Sequence, residues 1–139
     1  MHVEDAATSV PDGVLVMNRA WPVHEVIARL DSSSAERALI QGANGRWLLM
    51  DLPLLRVAMG SEQTWRALQR GSPVDGNTRN CRYVEPVYPD EWLDVALRQL
   101  AKAPVVPVIS RLDHTHLLGV VTRDDVRRAY GFEHDASSP

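Results

Sequence analysis

Residues 118–126 read Leu118-Gly119-Val120-Val121-Thr122-Arg123-Asp124-Asp125-Val126. An apolar strand covering 116–121 runs into Thr122, and Thr122 starts a helix through Asp124, Asp125, Val126, Arg127, Arg128, Ala129 and Tyr130 that Gly131 is placed to close. Upstream, Arg111-Leu112-Asp113-His114-Thr115 reads as a polar turn, and Val105-Val106-Pro107-Val108-Ile109 as a short buried strand. Before that strand a helix opens at Pro89. Its residues Trp92, Leu93, Ala96, Leu97 and Leu100 recur at helical spacing on one face, and Asp90 and Glu91 stand in the first turn, where the helix dipole favours negative charge. The local order is helix, strand, turn, strand, helix.

The N-terminal half repeats that order. Pro22-Val23-His24-Glu25-Val26-Ile27-Ala28-Arg29-Leu30 reads as a helix with proline near its start, Glu36-Arg37-Ala38-Leu39-Ile40 as a strand, and Ala43-Asn44-Gly45 as a tight turn. Arg46-Trp47-Leu48-Leu49-Met50 returns as a strand, and a helix through Leu54, Leu55, Val57 and Ala58 reaches Gly60. Glu25 and Asp94 lie 69 residues apart, as do Ile40 and Ile109, while Gly60 and Gly131 lie 71 apart. An offset kept across several elements points to internal duplication. The expected organisation is a tail over 1–13, a first repeat with a linking helix over 14–71, a loop over 72–83, a second repeat over 84–131 and a tail over 132–139. Both ends are small and polar and are expected to stay frayed.

Composition narrows the function. In 139 residues, 45% are apolar and 24% charged, enough for a folded core, and the net charge of −3 with scattered arginines argues against nucleic acid as the main partner. Cys81 is the lone cysteine, which excludes an internal disulfide and any CxxC zinc frame and fits a reducing cytoplasm. No apolar run approaches the ~20 residues of a membrane-spanning helix, and residues 1–11 have no apolar stretch of the secretory kind. Nucleophile elbow, Walker loop and HExxH strings are all missing, so no catalytic set is assigned and the chain is read as a non-enzyme.

The string Pro107-Val108-Ile109 … Gly119-Val120-Val121-Thr122-Arg123-Asp124-Asp125-Val126 resembles the signature of cystathionine β-synthase (CBS) domains: a Pro-Val strand, a hairpin, then glycine, apolar residues and Thr-x-x-Asp opening a helix. The resemblance is good over 84–131 and weak over 14–60. It implies an α+β fold of two β-α-β-β-α repeats packed about a pseudo-two-fold axis, usually as a homodimer. It also implies a regulatory module in which clefts between repeats bind AMP, ATP, S-adenosylmethionine or related ligands. Such modules control an attached or partner channel, transporter or enzyme, and no cofactor is required.

By resemblance, Thr122 and Asp125 are the phosphate and ribose contacts, and Arg123 or Arg127 adds positive charge. Gly119 leaves room for the base, and Val84, Val87, Val105 and Val106 supply backbone and apolar contacts to adenine. A helix start does favour an anion, and a carboxylate one turn on can accept from a ribose diol. Capping accounts for the same two residues, since Thr122 can satisfy an orphan N–H and the carboxylate can interact with the dipole. Loss of Asp125 is then expected to leave the fold nearly intact. The first repeat departs from the pattern, with Asp51 at the place of Thr122, Leu48 at that of Gly119 and Leu54 at that of Asp125, so at most one nucleotide per chain is expected. A ligand-free dimerisation scaffold is the competing reading.

Asp113-His114-Thr115-His116 brings two histidines near a carboxylate, but it falls in the expected turn without distant ligands, and no metal site is assigned. For the four tryptophans core and dimer packing are the common uses, and the face of the linking helix that carries Trp65 and Leu68 is a candidate self-association surface.

Overall fold

The computed structural model describes residues 1–9, 13–72 and 81–137. In chain order its elements are α1 (Val3–Ala6), β1 (Val14–Met17), α2 (Val23–Ser32), β2 (Arg37–Gln41), β3 (Trp47–Asp51), α3 (Leu52–Ala58), α4 (Glu62–Gln69), β4 (Cys81–Val84), α5 (Leu93–Leu100), β5 (Val105–Ile109), β6 (Leu117–Thr122) and α6 (Arg123–Ser137). They divide into two units, Pro11–Val84 and Met1–Val10 with Glu85–Pro139, each a sheet with helices.

In the unit Pro11–Val84 the sheet order is β1-β2-β3-β4, with β1 parallel to β2 and the other pairs antiparallel. Parallel neighbours need a crossover, which α2 supplies. Val26 and Leu30 lie one turn apart on α2 and are buried, while Glu25 and Arg29 pair at 3.0 Å on its outer side. The β2–β3 hairpin turns through Asn44 and Gly45. Gly45 takes φ +82°, which an L side chain resists, and the Asn44 carboxamide oxygen accepts from the Arg46 amide at 3.0 Å. The core joins Val26 and Leu30 to Ala38, Ile40, Leu48, Met50, Leu52, Leu55, Trp65 and Leu68.

Trp65 and Leu68 are therefore core residues and not a self-association surface. Trp65 is 1% exposed, and its indole N–H donates to the Trp21 carbonyl at 2.7 Å. Their i, i+3 spacing marks one apolar face of α4 but does not say what covers it. The stretch 72–83, expected as a loop, ends in a strand: β4 pairs with β3 from Met50 opposite Cys81 to Trp47 opposite Val84.

In the other unit β5 and β6 form the hairpin, and Val87 bridges Val108 in parallel, doing for β5 what β1 does for β2. Leu93, Ala96 and Leu100 of α5 pack on Val87, Val106, Val108, Val121 and Val126. Val3 and Ala6 complete this core, so residues 1–9 are not a frayed tail. The small polar composition of the segment hid one helical turn with its two apolar residues on a single face. The turn is closed by the His2 amide donating to Asp5 Oδ2 at 2.9 Å, and the segment is tied down by Val3 N to Glu91 O and Leu93 N to Met1 O, both 2.8 Å. At the other end α6 continues past Gly131 to Ser137, so Gly131 does not close the helix and 132–137 is not a tail. An interior glycine costs a helix only about 1 kcal/mol, which is not enough to end it.

The duplication is present, but its offset is not constant. The core-facing residues of β2 are Ala38 and Ile40, and those of β5 are Val106 and Val108, a shift of 68 residues rather than 69. Strand side chains alternate, so one residue of slip changes faces, and Ile40 is the counterpart of Val108, not of Ile109. On the helices, Val26 and Leu30 match Ala96 and Leu100 at 70.

Each unit is completed by a segment that precedes the other repeat. Leu49 of β3 faces Arg82 of β4, and Val120, 71 residues after Leu49, is bridged by Thr8. Gly119 is required by this pairing. A Cβ there would stand 2.6 Å from the Thr8 carbonyl oxygen, a backbone atom without freedom to retreat, whereas a Cβ on Gly13 meets nothing within 4 Å. Gly119→Ala is expected to lower stability in urea denaturation by about 1–3 kcal/mol, and Gly13→Ala by no more than about 0.5 kcal/mol.

Candidate functional site

Strand β6 ends at Thr122 and α6 begins at the next residue, so Thr122 stands at the helix cap and Asp125 one turn inside. The two side chains cap reciprocally. Asp125 N donates to Thr122 Oγ1 at 3.2 Å, and Thr122 N donates to Asp125 Oδ2 at 2.8 Å. The Thr122 hydroxyl also donates to Oδ2 at 3.0 Å.

On the other carboxylate oxygen, Oδ1 accepts from the Thr8 hydroxyl at 2.7 Å and from Arg128 Nη2. Asp125 is 3% exposed and, among the described residues, is the one charged side chain in the buried set. A buried carboxylate survives because donors replace its lost water. Four donors do so here, filling the roughly four acceptor positions that two oxygens offer.

The remaining candidates separate. Arg123 does not stand free beside the helix start: its Nη2 and Nε donate to the Leu100 carbonyl at 2.6 and 3.2 Å, closing the C-terminal end of α5. Arg56 does the same in the other unit, donating to the Leu30 carbonyl at 2.6 and 3.0 Å. Arg127 is exposed and pairs with Asp124 at 3.5 Å. Gly119 faces the Thr8 backbone.

Val105 pairs with Thr122 and Val106 with Val121 on adjacent rungs, so the two valines point to opposite faces of the hairpin. Val106 and Val87 belong to the helix-facing core and Val105 does not. Val84 lies on β4 in the other unit.

Thr8 is the neighbour of Asp125 that the sequence does not disclose. It sits 117 residues from Asp125, and nothing about its local pattern distinguishes it from the serines and threonines of any polar segment. In the first repeat Asp51 is exposed at the start of α3 without a capping bond from its side chain, and Leu48 is buried in the core. An open cleft of about 420 Å³ adjoins Asp51, lined among others by Ser33, Glu36, Arg37 and Arg56, and two of its charged groups are carboxylates.

Asp113 to His116 forms a turn. The Thr115 hydroxyl and amide donate to Asp113 Oδ1 at 2.6 and 3.0 Å and hold that carboxyl below the usual carboxylate range, while His114 Nε2 lies 3.1 Å from the Tyr88 hydroxyl. Among the described residues no three His, Cys, Asp or Glu side chains converge as a metal site, and no helix is long and apolar enough to cross a membrane.

No family model and no curated protein matches the sequence. Solved structures do. The CBS domain pair of protein MJ0100, in complex with 5′-methylthioadenosine and S-adenosyl-L-methionine, aligns over 96% of this chain and 98% of its own at 18% identity and a TM-score of 0.58. CbpB in complex with c-di-AMP aligns over 99% of this chain and 89% of its own, at 17% identity and a TM-score of 0.61. CBSX2 in complex with AMP aligns over 96% and 98%, at 18% identity and a TM-score of 0.56. The fold is that of a tandem CBS domain pair.

The bonding of Asp125 changes the expected response to its loss. Removing the carboxylate takes away the cap and also strands the Thr8 and Thr122 hydroxyls in a part-buried site. Asp125→Ala is expected to cost about 2–4 kcal/mol in chemical denaturation, more than a cap alone, whereas Asp124→Ala, at an exposed position, is expected to stay within about 0.5 kcal/mol.

Proposed function

We infer that the chain is a regulatory module that binds an adenosine-type ligand, such as AMP, ATP or S-adenosylmethionine, at the Thr122–Asp125 helix start. Through that site it controls an attached or partner channel, transporter or enzyme. The observation that carries this reading is the nearly sealed Asp125 carboxylate one turn into α6, in the second repeat of a fold whose relatives hold adenosine compounds. An apolar residue would cap nothing but would also leave nothing to desolvate, so a carboxylate at this depth is an expensive choice unless its acceptors are used. A ribose diol is a group that uses them. Thr122 adds a hydroxyl at the start of α6, where the helix dipole favours an anion.

One ligand per chain follows, because the first repeat has Asp51 and Leu54 where the second has Thr122 and Asp125. Asp51 would repel a phosphate, and leucine offers a diol no acceptor. A sensor of adenine nucleotides acts where those nucleotides are, in the cytoplasm. It acts without chemistry of its own and as a homodimer, for which exposed Ile27 on α2 and Leu97 on α5 offer apolar helix surface.

A ligand-free dimerisation scaffold is the second reading, and one observation favours it: all acceptor positions of Asp125 are already filled from within the chain. Thermal unfolding with and without AMP, ATP and S-adenosylmethionine separates the two. A ligand at about 100 times its dissociation constant adds about 2.7 kcal/mol when it binds only the folded state. Calorimetry is expected to give one site per chain, unchanged affinity in Leu54→Ala and much weaker binding in Asp125→Asn, which keeps a side-chain acceptor for the cap. No stabilisation by any of the three ligands selects the scaffold.

A further inference from the structure

Thr8 occupies the position on Asp125 that a ligand diol needs. The two donors on Oδ2 come from Thr122 and close the cap of α6, so their release frays the helix. The two donors on Oδ1 are Thr8 and Arg128, and the Arg128 side chain is 70% exposed, so it finds water when it swings away. The Thr8 hydroxyl is the remaining obstacle, 2.7 Å from Oδ1 and itself a neutral hydroxyl like those of ribose.

We propose that the segment 1–9 is a built-in competitor for the ligand site, and that a nucleoside diol on Asp125 displaces Thr8 and loosens this segment from β6. The proposal rests on the ligand-binding reading above. The segment is held at two places of different strength. Its first part is anchored by buried Val3 and Ala6 in the α5 core. Its second part is held by Thr8, through the paired amide bonds Thr8 N to Val120 O at 2.9 Å and Val120 N to Thr8 O at 2.8 Å, and through the hydroxyl on Asp125. Loss of the hydroxyl bond weakens only the second attachment. Gly119 lies against the Thr8 carbonyl with no side chain between, so a shift of Thr8 is not absorbed locally and moves the segment. Ligand occupancy is thereby converted into release of a chain segment, the kind of two-state element a regulatory site requires.

The test is calorimetric titration of the full chain with AMP, ATP and S-adenosylmethionine, for the unaltered protein, Thr8→Val and Thr8→Ser. It is joined to amide hydrogen exchange of the unaltered protein with and without saturating ligand. Thr8→Val, which keeps the shape and loses the donor, is expected to bind about 2- to 10-fold more tightly, the range equivalent to one net hydrogen bond. Thr8→Ser is expected to match the unaltered protein, and ligand is expected to speed exchange at the Thr8 and Val120 amides while leaving α5 protected. Weaker or unchanged binding by Thr8→Val, or slower exchange at Thr8 and Val120 on ligation, overturns the displacement while ligand binding stands. If none of the ligands binds either the unaltered protein or Thr8→Val, the ligand reading fails and the displacement falls with it. Should Thr8→Val not fold, the exchange measurement on the unaltered protein decides.

Discussion

A carboxylate sealed from water must be surrounded by donors, and Asp125 gathers three separate parts of the chain for that purpose. It ties the start of α6 to the end of β6 through Thr122, reaches along its own helix to Arg128, and holds the distant Thr8. The last bond matters most for architecture, because it fixes the register of the leading segment on β6. Thr8 can reach Oδ1 only while it pairs with Val120, and it can pair with Val120 only because position 119 lacks a side chain. Gly119, Thr8 and Asp125 are three consequences of a single placement. A buried ionic group of this kind is weak evidence for stability, but it specifies one arrangement sharply, since any slip leaves a charge without partners.

The two repeats solve their shared problems with different residues. Both need a cover for the C-terminal end of the helix before the hairpin, and both use a guanidinium on the final leucine carbonyl. Arg56 comes from the second turn of α3, whereas Arg123 is the first residue of α6. Both need a flanking segment beside the second hairpin strand, which is β4 in one unit and the Thr8 stretch in the other. They differ at the helix start. The first repeat sets Leu52 and Leu55 into its core with an exposed Asp51, an arrangement held by apolar burial, at about 1.5–3 kcal/mol for each fully buried side chain. The second uses the reciprocal Thr122–Asp125 cap and the buried charge.

Much of this was legible in the residues. The strand-to-helix switch at Thr122, the Asn44-Gly45 turn and the duplication all rest on local patterns with a short reach. Helix α5, by contrast, starts at Leu93 and not at Pro89, and of its expected apolar face Leu93, Ala96 and Leu100 are buried but Trp92 and Leu97 are exposed. What the sequence hid is long-range. The one-residue slip between β2 and β5 reverses which valines face the helix, and Pro107-Val108-Ile109 is apolar at every position, so alternation gives no phase to read. The burial of Val3 is invisible in a segment whose average composition is polar. Arg123 looked like a phosphate ligand because it stands beside the motif, but the carbonyl it covers, at Leu100, is brought there by tertiary packing. Thr8 carries no local mark at all.

Helix capping and ligand binding draw on the same motif residues. A Thr-x-x-Asp string satisfies an orphan amide whatever else it does, so its occurrence tests only the need for a cap. What distinguishes the second repeat is the depth of the carboxylate. An exposed N3 acid suffices for a capping box, as Asp5 does for α1. Asp125 performs the same bond nearly out of contact with solvent, at a desolvation cost that capping does not require. The excess acceptor capacity is filled by Thr8 and by Arg128, whose exposed head costs little to withdraw. On the proposed reading, a cap with two surplus acceptors, one of them closed by the Thr8 hydroxyl, has two ways to be satisfied. One is internal, and the other needs a diol from outside.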